Sequence, residues 1–135
     1  MSYEFLEHTA DVKFRAEGSD LATMFLSAAE ALNNTIRGDI KILQQEEKTI
    51  EVSGKDLENL LYRFLEEFLF LLDSDDFLVS RVQEISIKGN KLKCKVSGDR
   101  AKNYKFTNDV KAITYSGMFV KEEKGKFVCE VVLDV

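Results

Sequence analysis

The chain has 135 residues, the size of one ordinary domain, with 44% hydrophobic and 32% charged residues. That is a globular composition rather than a disordered one. Acidic residues outnumber basic ones 24 to 19, for a net charge of −5 and a pI near 5.0. Phosphate backbones are held by concentrated positive charge. Strong direct binding of nucleic acid is therefore not expected, and an RNA-linked role would run through a protein partner or a local patch.

No segment approaches the run of about 18 apolar residues that spans a bilayer. The longest apolar stretch, Phe68 to Leu72, is flanked by Glu66, Glu67 and Asp73. The opening Met-Ser-Tyr-Glu has neither the basic nor the apolar region of a secretion signal. Two cysteines, Cys94 and Cys129, cannot make a disulfide framework or a zinc site. Each alternates with charged neighbours on a predicted strand, which reads as a buried free thiol. The expectation is a cytoplasmic protein with a single domain over residues 1–135.

In chain order, Tyr3–Glu7 is short and β-prone, followed by a polar break at His8-Thr9-Ala10-Asp11. A strand of strict alternation follows, with Val12, Phe14 and Ala16 on one side and Asp11, Lys13, Arg15 and Glu17 on the other. Gly18-Ser19 ends it, and Ser19 is the expected N-cap of a helix. Leu21, Met24, Phe25, Ala28, Ala29 and Leu32 give that helix one apolar stripe, which fades at Asn33, Asn34 and Gly38. Lys48–Val52 reads as a strand, and Ser53-Gly54 is expected to open a second helix.

The second helix buries Leu57, Leu60, Leu61, Phe64, Leu65, Phe68 and Leu72. Leu69, Phe70 and Leu71 make its second half apolar nearly all round, so cover on more than one side is expected. Asp73-Ser74-Asp75-Asp76 is read as its stop. Phe77–Lys88, the turn Gly89-Asn90 and Lys91–Val96 predict a hairpin. Gly98–Asn108 reads as a polar loop. Lys111–Glu122, a turn at Lys124-Gly125, and Lys126–Val135 predict a last hairpin with Phe127, Cys129, Val131 and Leu133 inward. Strand, strand, helix, strand, helix and four strands predict an α+β fold: a two-layer sandwich, two helices packed on a largely antiparallel or mixed sheet.

Catalytic chemistry finds little to build on. One histidine, His8, cannot make a zinc triad or a two-histidine site. The seven glycines are scattered singly, so no phosphate-cradling loop is present. A nucleophile–base–orienter set would have to recruit His8 from the turn, and no spacing supports it. For His8, a ligand or proton donor and a backbone-bonded turn histidine are both open readings.

Carboxylates are the remaining resource. Asp11 opens a strand on its polar face, and Asp134 closes another beside Val135 and its α-carboxylate. Such oxygens hold hard cations if the two strand ends lie together. The plainer alternative makes Asp11 a turn cap and Asp134 a solvated strand end. The Asp73–Asp76 acids lack the glycine and distal glutamate of a calcium loop and read as a solvated helix stop. Lys88, Lys91, Lys93 and Lys95 form a basic strand face, ordinarily a solvated one and otherwise a contact for phosphate.

The opening Tyr3-Glu4-Phe5-Leu6-Glu7-His8-Thr9-Ala10-Asp11-Val12 resembles the start of the archease family. So do the pattern from Ser19 to Leu32, the run Asp56-Leu57-Glu58-Asn59-Leu60-Leu61 with Leu65-Glu66-Glu67, the strand Val110–Tyr115, and the ending Val132-Leu133-Asp134-Val135. The resemblance covers the whole chain in order. It implies a compact α+β protein that is not itself an enzyme. It implies an activator of an RtcB-type RNA ligase in tRNA splicing and RNA repair, promoting the ligase's guanylylation and turnover. It also implies a bound divalent metal ion, calcium first and magnesium or manganese as alternatives, with Asp11, Asp134 and Val135 as ligands. The family's further histidines are absent here, where the chain reads Tyr104–Asn108 and Ser116-Gly117-Met118.

Two other readings compete. A chaperone-like module for a tRNA methyltransferase needs an exposed apolar patch, and the Phe68–Leu72 stretch is the candidate. A small metal-dependent hydrolase built on Asp11 and Asp134 lacks any second set of catalytic groups.

Overall fold

The computed structural model describes residues 2–7 and 11–135. Met1, His8, Thr9 and Ala10 lie outside them, and with them the expectations placed on His8. The alternation after Asp11 becomes β2 (Val12–Gly18), paired antiparallel with β1 (Ser2–Leu6). The first apolar stripe becomes α1 (Leu21–Arg37), and the second becomes α2 (Leu57–Asp75), with β3 (Glu46–Ser53) between them. Then come β4 (Phe77–Lys88), β5 (Lys91–Arg100), a short 3₁₀ turn at Ala101–Asn103, β6 (Ala112–Glu123) and β7 (Lys126–Asp134).

The α+β class is as expected, and the strands divide between two sheets, both wholly antiparallel. One has the order β1-β2-β7-β6 and the other β3-β5-β4. Each helix touches both: α1 packs on β2, β1, β7 and β4, and α2 on β6, β3, β4 and β5. This explains the broad apolar surface of α2, where Leu60, Leu61, Phe64 and Leu65 are fully buried and two separate faces need cover. The core is continuous between the sheets, from Phe14 and Leu133 on one side to Leu92 and Val96 on the other.

Both helix starts lie slightly later than the sequence suggests. Asp20, not Ser19, caps α1, its carboxylate accepting from the Thr23 N–H at 2.8 Å. Asp56, not Ser53-Gly54, caps α2, accepting from the Asn59 N–H at 2.7 Å. Aspartate satisfies a free N–H and also favours the positive end of the helix dipole. The acid run does not interrupt α2 until Asp76, which takes a left-handed conformation (φ 52°) and donates its N–H to the Leu71 carbonyl.

The largest departure is the stretch Gly98–Arg100, which with Ser97 before it continues β5 instead of opening a loop. Its polar groups are buried but satisfied. Ser97 Oγ donates to Gln44 Oε1 at 2.8 Å, and Asp99 accepts from Tyr104 Oη at 2.7 Å and from the Arg100 N–H at 2.8 Å. Gly98 is required here because a Cβ would lie 2.1 Å from the Leu78 carbonyl oxygen. At the C-terminus of α1, the half-buried Arg37 guanidinium donates to the carbonyls of Val79 (3.2 Å), Ile40 (2.9 Å), Gly38 and Ser80 (both 3.4 Å), joining that helix to β4.

Candidate metal centre

β7 lies inside its sheet, between β2 and β6. Val12 and Ile113 both stand opposite Leu133, and Ala112 stands opposite Asp134. Asp11 immediately precedes Val12, and Asp134 immediately follows Leu133. The antiparallel ladder therefore brings Asp11 and Asp134 to the same end of two neighbouring strands. The observed ladder ends at Val12 and Leu133; carried one step further, the same register would set the two carboxylates opposite each other, on one face. Asp134 is exposed, while Asp11 and Val135 are half-buried. The Asp134 carbonyl accepts from the Lys111 N–H at 2.7 Å, which fixes the last turn of chain against the start of β6.

The same face carries Lys13, two residues beyond Asp11 and pointing the same way. Its ammonium lies 3.3 Å from Glu130 Oε1, and Arg15 Nε lies 3.2 Å from Glu130 Oε2. Glu130 thus draws the nearby cations toward mid-sheet and away from the strand ends. Among the described residues no three His, Cys, Asp or Glu side chains gather into a metal-binding group. Any cation at this end would rest on two carboxylates and main-chain oxygens. That donor set is all oxygen and suits a hard ion.

Other candidates resolve differently. Of the Asp73–Asp76 acids, Asp75 lies 3.5 Å from Lys48 Nζ and Asp76 ends the helix, as a helix-terminal role requires. Cys94 and Cys129 are free and buried, and burial pushes both thiols up to about 12.

One association was not anticipated from local pattern. The Asp56–Asn59 start of α2 meets the Thr114–Tyr115 strand. Tyr62 stacks on Tyr115 with centroids 4.3 Å apart, Asn59 Nδ2 donates to Tyr115 Oη, and Glu58 Oε2 accepts from the Val120 N–H at 3.1 Å. Between Thr114 and Phe119, β6 carries three more residues than β7 opposite, a bulge containing Gly117 at φ 66°. The signal was present only as two separate motifs.

Comparison with known proteins gives a consistent result. The model of the archease protein family matches residues 3–135. An archease of Pyrococcus abyssi is 38% identical over 98% of each chain, and an archease-like protein of Dictyostelium discoideum is 33% identical over 99% of this chain and 93% of its own. A solution structure of a Methanobacterium thermoautotrophicum protein, 32% identical, superposes with a TM-score of 0.83 over 98% of both chains. The crystal structure of a Thermotoga maritima archease, described as a possible chaperone, shares the fold at 22% identity, with a TM-score of 0.64 over 96% of this chain and 94% of its own. By the extent of the family match and the identity of these relatives, the chain belongs to the archease family.

Proposed function

We propose that the chain is a cytoplasmic, non-catalytic activator of an RtcB-type RNA ligase in tRNA splicing and RNA repair, presenting a divalent cation held by Asp11, Asp134 and the main-chain oxygens of Val135. Family membership supports the partner class. The observation that carries the site is the register of β2 on β7, with Val12 opposite Leu133, which brings the two carboxylates to one strand end. Calcium suits this donor set, with magnesium or manganese as alternatives. When bound, the ion would supply positive charge against a nucleotide triphosphate during guanylyl transfer.

The chain's own groups bind and position. The two aspartates provide the negative charge, and the Lys111 N–H holds the Asp134 main chain in place. Glu130 keeps Lys13 and Arg15 engaged at mid-sheet. Asp11→Ala and Asp134→Ala are each expected to abolish stimulation in a single-turnover guanylylation assay while leaving the circular dichroism spectrum unchanged. Full stimulation by both variants would end this reading.

The chaperone-like reading, with a tRNA methyltransferase as client, has less support. Its apolar patch is mostly inside: Phe68, Leu69 and Leu71 are buried, and only Phe70 is prominently exposed, at 56%. Client protection that survives EDTA and both aspartate substitutions would restore it.

A further inference from the structure

The solvent face of the β3-β5-β4 sheet carries a row of ammonium groups along its middle strand. Lys91, Lys93 and Lys95 are exposed and alternate with Leu92, Cys94 and Val96, all within the core. Side chains two residues apart on one face are spaced about 6.8 Å along a strand. Lys88 stands directly opposite Lys91 across the hairpin, so both leave the sheet on the same side. Directly opposed like charges cost stability. Among the described residues neither forms an ion pair.

Their cross-strand neighbours are polar. Ser53 stands opposite Lys91, Ser86 opposite Lys93, and Thr49 and Gln83 opposite Lys95. A shallow groove of about 500 Å³ runs along Glu51, Ser53, Ser86, Lys88, Lys91 and Lys93. Three acids share the face, and one of them, Glu47, accepts from Gln83 Nε2 at 3.3 Å. Glu51 Oε1 lies 3.5 Å from Lys93 Nζ, and Glu84 Oε2 lies 3.5 Å from Lys95 Nζ. All four side chains are well exposed, and such pairs are weak and readily exchanged.

We propose that this face binds the phosphodiester backbone of RNA, with Lys88 and Lys91 at one phosphate and Lys93 and Lys95 following along the strand. Charge complementarity is local: the patch is basic in a chain whose net charge is −5, so the rest of the surface directs a polyanion toward it. The chemistry favours phosphate over an acidic protein. Protein interfaces are anchored by aromatic and apolar side chains and are depleted in lysine. The exposed large apolar residues are Phe5, Leu43, Phe70 and Tyr115, none of which belongs to β3, β4 or β5. Lysine with serine, threonine and glutamine is instead the set that contacts phosphate and sugar. The choice of RNA over DNA rests on the ligase reading above; the lysine row does not.

The test is fluorescence anisotropy with a labelled single-stranded RNA of about 16 nucleotides, long enough to span one small binding face. The intact chain should bind at low salt. Lys88→Glu/Lys91→Glu should bind at least about tenfold more weakly, with a salt slope shallower by about 1.4, two contacts at about 0.7 each. Lys102→Glu/Lys105→Glu, in the segment after β5, should bind normally. In a guanylylation assay without RNA the Lys88/Lys91 variant should still stimulate, and the Asp11 and Asp134 variants should still bind RNA, so the two readings fail separately. Unchanged binding by the Lys88/Lys91 variant overturns the proposal, as does no binding by the intact chain. Tighter binding of a DNA strand of the same sequence, or displacement of RNA by polyglutamate at equal charge, also overturns it.

Discussion

β5 and β7 are both interior strands of antiparallel sheets, and each carries one buried cysteine, yet they use their outward faces in opposite ways. Over Lys91–Val96 β5 alternates cleanly, with lysines outside and apolar residues inside. β7 is buried on both faces, for Val128 and Val132 are nearly as enclosed as Cys129, Val131 and Leu133. The neighbours account for the difference. Val132 lies between Lys13 and Thr114, and Val128 between Glu17 and Lys121. Lys13 and Arg15 converge on Glu130, and long aliphatic stems cover what lies beneath them. On β5 the outward positions are themselves lysines, whose long stems carry their ammonium groups past their neighbours into solvent. A closed strand can offer chemistry only at its end, whereas an open one can offer its whole face.

The severest way to break that contrast is at Gly98, where β5 must approach β4 closely. Gly98→Val should cost about 3 kcal/mol or more, read from the urea midpoint, because the added carbon meets main chain rather than a movable side chain. Next, Leu92→Ala and Leu133→Ala should each cost roughly 2–5 kcal/mol, since the inward faces of the two strands are equivalent. The outward faces should separate: Val132→Ala should cost about 1.5 kcal/mol for two buried methyl groups, and Lys95→Ala less than about 0.5 kcal/mol. Equal costs at those two positions would erase the distinction.

The smallest effect at neutral pH concerns the thiols. Burial raises both to about 12, so the folded state keeps them neutral. The unfolded chain ionises them from the ordinary thiol range near 8.5. Their contribution is therefore complete below that range and is lost as pH rises toward 12. The melting temperature of Cys94→Ala/Cys129→Ala should fall less steeply than that of the intact chain between those limits. In the native protein neither thiol should react with an aromatic disulfide reagent.

Element order was legible because each strand and helix declares its own period: the alternation of Val12–Gly18 and Lys91–Val96, and the stripe from Leu21 to Leu32. Partnership was not. Alternation says that a strand has an inner face but not which sheet it joins, so two sheets and one sheet read alike. Gly98–Arg100 looked like loop because its buried carboxylate, Asp99, is satisfied from beyond the strand by the Tyr104 hydroxyl. Adjacent good caps, Ser19 and Asp20, differ by less than any local rule resolves. The candidate site shows the same limit. Asp11 and Asp134 could be named from their strand-end positions and the family resemblance. Their common end, however, comes from a pairing between the second strand and the last, which no local pattern encodes. Tyr62 and Asn59 escaped notice because their partner, Tyr115, lies beyond two intervening strands.

Arg37 has a consequence for how this architecture tolerates sequence drift. Its guanidinium meets only main-chain carbonyls, those of residues 38, 40, 79 and 80. Every amino acid supplies that oxygen, so the join between α1 and β4 does not depend on which side chains stand at 79 and 80. The burden falls on one side chain. Lysine, a point charge without the fork of donors, cannot take its place, and β4 can vary its side chains while one arginine holds α1 against it.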